Sequence, residues 1–133
     1  MKKFLLSALS LLVVTTGFAE DIILMNKTAY PAKNQPSKIA VQWAGSAKEV
    51  QDHNQASLTN TSLNPTTLQE LGKSGKIKLN VPGNAEYFRV LVWSEGKGEP
   101  DLLTNWVDIV PNKTYTLKSD YLVPAVLMPG AGC

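Results

Sequence analysis

Lys76-Ile77-Lys78-Leu79-Asn80-Val81, then Pro82-Gly83-Asn84, then Tyr87-Phe88-Arg89-Val90-Leu91-Val92-Trp93: this stretch decides the fold. The first run alternates strictly, with Ile77, Leu79 and Val81 on one face and Lys76, Lys78 and Asn80 on the other. A period of two predicts a strand with one wet face. The run at 87–93 is apolar on both faces except for Arg89, which predicts a central strand buried on both sides. Pro82 presets φ for a tight turn, so the two runs are expected to pair as a hairpin.

Working outward, further runs read as strands. Ile22–Met25 is short and apolar. Lys38–Trp43 places Ile39, Val41 and Trp43 on one face. Thr104–Val110 and Thr114–Leu117 flank a Pro111-Asn112 turn and are expected to form a second hairpin. Leu122–Met128 is apolar but contains Pro124, which cannot donate to a ladder and so belongs at an edge or a bulge.

Residues 45–75 break this pattern, being rich in Asn, Gln, Ser and Thr. Asn64, Pro65 and Gly72 have the placement of a cap, a first helical residue and a stop, so one short helix is expected near 65–71. A structureless loop as long as 46–62 is uncommon in a compact domain, and a strand is expected near Gln55–Leu58. The whole reads as an all-β antiparallel sandwich, Ig-like or Greek-key, of six to seven strands; a small closed barrel is the alternative.

The first nineteen residues carry a different message. Lys2 and Lys3 precede an apolar run, Phe4–Val14, and Gly17-Phe18-Ala19 sets small residues before the Ala19–Glu20 bond. This is the pattern of a signal peptide over 1–19, of bacterial style, leaving a single domain over 20–133. The apolar run falls well short of the ~20 residues that span a bilayer, so no transmembrane segment is expected after processing. The implied location is periplasmic or secreted. The precursor has 13 basic and 11 acidic residues; without Lys2 and Lys3 the two counts are equal at 11. A neutral domain without a dense basic stripe argues against nucleic-acid binding.

Constellations for chemistry are sparse. There is one histidine, His53, and no G-x-S-x-G elbow, so no catalytic set is assigned. One Cys and one His cannot supply a zinc site, and no metal or other cofactor is assigned. Three N-x-[ST] matches, at Asn26, Asn60 and Asn112, are read as chance in an Asn/Thr-rich chain. Trp43 has core periodicity. Trp93 borders the charged loop 94–101 and is expected to be partly exposed there, making Trp93, Glu95, Glu99 and Asp101 the candidate binding residues. Cys133, the single cysteine, is the last residue. It is read as a free thiol or an intermolecular disulfide, with a disulfide-linked homodimer as one outcome.

These observations imply an exported, non-enzymatic binding or interaction domain with a protein or glycan partner. Two alternatives belong to other classes. One is a small secreted hydrolase or toxin-like effector using acidic residues; the other is a structural subunit linked through Cys133.

Overall fold

A computed structural model describes residues 21–58 and 63–125, with the side chains of 57 and 58 left aside. The leader, the Ala19–Glu20 junction, Cys133 and the end of the last apolar run lie outside the described residues.

Among the described residues nine short strands, rather than the six to seven expected, form two sheets: β1 (Asp21–Asn26), β2 (Lys38–Ala44), β3 (Leu68–Glu70), β4 (Gly75–Asn80), β5 (Tyr87–Trp93), β6 (Leu102–Leu103), β7 (Val107–Asp108), β8 (Thr114–Leu117) and β9 (Val123–Pro124). The three-stranded sheet has the order β4-β1-β8. The six-stranded sheet runs β3-β2-β5-β6-β9, with β7 also on β5. Neither sheet closes on itself, and the fold is a β-sandwich.

The core between the sheets follows the alternation of the sequence. Ile22 and Leu24 of β1 and Leu79 of β4 meet Ile39, Val41, Trp43, Phe88, Val90 and Val92 from β2 and β5. Aromatic edges bridge the layers: Tyr115 of β8 meets Phe88 edge-on at 5.0 Å, and Phe88 meets Trp43 at 6.1 Å. A second, smaller cluster of Ala40, Leu91, Trp93 and Leu103 lies on the other face of the same central strands. As predicted, β5 is buried on both sides.

Both expected hairpins are overturned, although their strands exist. β4 pairs with β1, and β5 pairs with β2, so the 81–86 link crosses from one sheet to the other. The reason is already in the two patterns. A strand with one wet face suits the edge of the small sheet, where Lys76, Lys78 and Asn80 are exposed. A strand apolar on both faces needs a central position. Likewise the Pro111-Asn112 turn forms, with Asn112 at φ 65° and Lys113 N–H donating to Val110 O (3.2 Å). Yet β8 leaves it to lie parallel to β1. Of the run expected at 104–110 only β7, Val107–Asp108, is strand, and β6, Leu102–Leu103, lies before it. Between them the Thr104 hydroxyl accepts the Val90 N–H (2.9 Å), a bond that the ladder would otherwise supply from a carbonyl.

The helix also moves. Asn64 caps a single 3-10 turn at Pro65–Thr67, accepting from Thr66 N–H and Thr66 Oγ1. Leu68–Glu70 then becomes β3, because a free edge of β2 is available at Ala40–Gln42. The α-helix, α1, is Ala47–Leu58, where a strand was expected. β9 meets its expectation: Pro124 sits in the terminal strand of the larger sheet. Asn26, first residue of one N-x-T match, is buried and spent on the β1–β2 link. Its Nδ2 donates to Tyr30 O and its Oδ1 accepts from Thr28.

Candidate functional site

α1 begins with a reciprocal cap. Glu49 N–H donates to Ser46 Oγ (3.1 Å), and Glu49 Oε1 accepts from Gly45 N–H (2.8 Å). This is the S-x-x-E arrangement displaced by one residue. Gly45 is required here. A Cβ on it would stand 2.6 Å from the carbonyl oxygen of Asn84, so only glycine lets β2 run into α1 past the 82–85 turn. That turn is closed by Ala85 N–H to Pro82 O (3.0 Å).

The helix lies over the polar end of the outer face of the large sheet. Gln42 and Arg89 face each other across β2 and β5 and are fully buried. Arg89 Nε donates to Gln42 Oε1 (2.8 Å), and Nη1 donates to Asn54 Oδ1 of α1 (3.3 Å). The same Asn54 oxygen accepts from Trp106 Nε1 (3.0 Å). The Arg89 guanidinium lies 4.6 Å from the Trp106 ring centre, a cation–π arrangement, and His53 stacks on Trp106 at 5.7 Å. Burial pushes Arg89 down to about 10, so it remains a cation at neutral pH. Burial, then the Arg89 charge, lowers the His53 imidazole below its ordinary value. A hydrogen bond with the Trp43 backbone and the Glu49 and Asp52 charges offset this in part.

Beside this network runs a groove of about 510 Å³. Its floor is the end of β2, Trp43 to Gly45. One wall is α1, presenting Glu49, Asp52 and His53. The other wall holds Asn64, Thr66 and Thr67 of the 3-10 segment, and Asn84 closes the end. No lysine or arginine is among the described lining residues. Carboxylates, amides and hydroxyls at that density suit a cationic or hydroxyl-rich group.

The predicted binding residues lie elsewhere, at the β5–β6 connection. Trp93, expected to be partly exposed, is only 6% exposed. Its Nε1 donates to Gly98 O (3.0 Å), and Lys38 lies over its ring at 4.5 Å. Asp101 braces the loop: its carboxylate accepts from the Ser94 N–H (2.8 Å) and the Ser94 hydroxyl. Burial raises the Asp101 carboxyl, but the two Ser94 bonds outweigh it and leave it below the usual range. Glu95 and Glu99 are exposed on the same loop. Among the described residues, no three His, Cys, Asp or Glu side chains converge as a metal would need. No helix there is long and apolar enough to cross a membrane.

The groove residues went unassigned in the sequence, apart from His53. One signal could have located them: Ser46-Ala47-Lys48-Glu49 is a capping box, which puts His53 and Asn54 on the inner side of a helix.

No protein-family model and no curated protein matches this chain. Among solved structures, it is similar to Serratia marcescens Lip, a membrane-bound component of the type VI secretion system. The two share 17% identity at a TM-score of 0.44, over 79% of this chain and 96% of that one.

Proposed function

We propose that the protein is an exported, non-enzymatic binding domain, periplasmic or secreted, whose recognition site is the groove between α1 and the 64–67 segment. The observation that carries this reading is the groove itself: polar groups of Glu49, Asp52, Asn64 and Asn84 set among apolar Ala56, Leu63 and Pro82, free of described basic residues, and shaped by a capped helix. His53 supports a binding rather than a catalytic role. Its ring is stacked on Trp106 and hydrogen-bonded to the Trp43 backbone, which ties it into the outer-face network. The leader over 1–19 supports export, and the equal charge counts of residues 20–133 disfavour a nucleic-acid partner.

A second reading, a hydrolase, has one observation in its favour: Glu49 and Asp52 both line the groove. Glu49, however, is committed to the Gly45 N–H, and Asp52 to Lys48 at 3.2 Å.

Two measurements test the proposal. Intact mass of the protein in periplasm and medium should begin at Glu20; a full-length precursor in the membrane fraction would refute export. Amide spectra of residues 20–133 should shift at Asp52, Asn64 and Asn84 on titration with chitotetraose or a tetralysine peptide. Asn84→Trp, which fills the groove, should abolish those shifts. Turnover of either probe would instead establish the hydrolase, and silence with both probes would refute the groove as this site.

A further inference from the structure

The two sheets are unequal, and the smaller one stops short on its β8 side. Among the described residues β8 has a single neighbour, β1. Lys113 O accepts from Ile23 N–H and Leu117 O from Lys27 N–H, so alternate residues of this segment face β1. By the same alternation Thr114 and Thr116 direct their N–H and C=O groups away from the sheet. Both residues are exposed.

Beneath this edge the sandwich is open. A slot of about 220 Å³ reaches inward to Leu24, Phe88, Val90 and Leu117, flanked by Tyr115 and Tyr121. Tyr121 is 49% exposed, one of two large apolar side chains so placed among the described residues. An edge whose hydrogen-bonding groups meet no strand among the described residues, above an apolar slot, has the two halves of a strand-addition site: main-chain pairing for affinity and a side-chain pocket for selectivity.

Charge selects the occupant. Lys113 and Lys118 bracket β8, and Lys27 adjoins the same end as Lys118. Asp108 and Asp120 are the acidic residues nearby in the chain. A two-fold pairing of β8 with a second copy, Thr114 opposite Thr116, would gather Lys118 of one copy and Lys113 of the other at each end of the pair, which is unfavourable. An acidic strand meets the opposite situation.

We propose that the β8 edge receives an extended segment of a partner protein, acidic at its ends and bearing a large apolar side chain at its centre. The segment pairs with Thr114 and Thr116, extends the small sheet to four strands, and seats its apolar side chain in the slot. This surface is separate from the α1 groove.

The probe is a capped seven-residue peptide, threonine alternating with leucine, flanked by two aspartates, titrated into labelled protein of residues 20–133. The expected result is a shift of the Thr114 and Thr116 amides and a slowing of their hydrogen exchange by about tenfold or more at saturation. Thr116→Pro, which removes one outward donor at an edge position, should abolish binding while leaving the remaining spectrum unchanged. Should that variant not fold, the pair Lys113→Glu and Lys118→Glu serves instead. It should weaken the aspartate-flanked peptide about tenfold or more and favour a lysine-flanked one. Four results would overturn the proposal: no binding, shifts confined to the α1 groove, indifference to the flanking charge, or Thr114 and Thr116 amides already protected in the free protein. A concentration-dependent dimer blocked by Thr116→Pro would also overturn it, assigning the edge to a second copy.

Discussion

On its inner face the six-stranded sheet carries Ile39, Val41, Trp43, Phe88, Val90 and Val92, all in one apolar core. On its outer face, between those same positions, Gln42 and Arg89 are buried just as completely. The inner face is held by non-directional burial. The outer face is held by a chain of directed bonds, Gln42 to Arg89 to Asn54 to Trp106, which fixes how α1 lies on the sheet. The two faces teach different lessons about tolerance. Apolar packing loses stability roughly in proportion to the volume removed, whereas a buried polar chain loses most when it is cut in the middle.

The largest effect is expected on the inner face. Phe88→Ala removes the ring that links Tyr115 to Trp43 and should cost about 3–5 kcal/mol in urea unfolding. Next comes Gln42→Leu, which takes away the acceptor of Arg89 Nε and should cost about 1–3 kcal/mol. Adding Arg89→Leu to it should recover much of that loss, because apolar residues can replace a buried polar set. If the two costs simply add, the outer face is packing like the inner one and the contrast fails. Smaller again, Ser46→Ala should cost about 1 kcal/mol through the lost cap of α1.

The smallest effect is a pH dependence. The folded state lowers the His53 pKa, so in acid the unfolded chain takes up its proton first. Stability should therefore fall as pH drops below the ordinary histidine value, and level off below the lowered folded value. His53→Phe should flatten this part of the profile of urea midpoints between pH 7.5 and 5. An unchanged slope would mean that the imidazole is not carried by the outer network.

Strand positions were legible because burial repeats with a period of two. The run at 87–93 and the run at 114–117 appear at their predicted bounds. Partners were not legible. Proximity in sequence favours hairpins, but β4 and β8 both join β1, where the small sheet needs strands of one wet face. The helix at 47–58 was hidden because its inward stripe is polar: Glu49, His53 and Asn54 stand where apolar residues would mark a helix. Asn64 and Pro65 gave a true start signal, but β2 offered an open edge and the chain extended after one turn. Trp93 was misjudged for a related reason: the loop beside it is charged, yet the loop folds its carbonyl at Gly98 back onto the indole.

The parallel register of β1 with β8, Ile23 against Thr114, joins the first described strand to one of the last. A chain made N-terminus first presents Ile22 and Leu24 before β8, the last strand of their sheet, exists. The small sheet is complete only with β8, although β4 already pairs with β1 along Asp21–Asn26. A truncation before Leu117, a buried member of that core, should yield a chain that cannot close it.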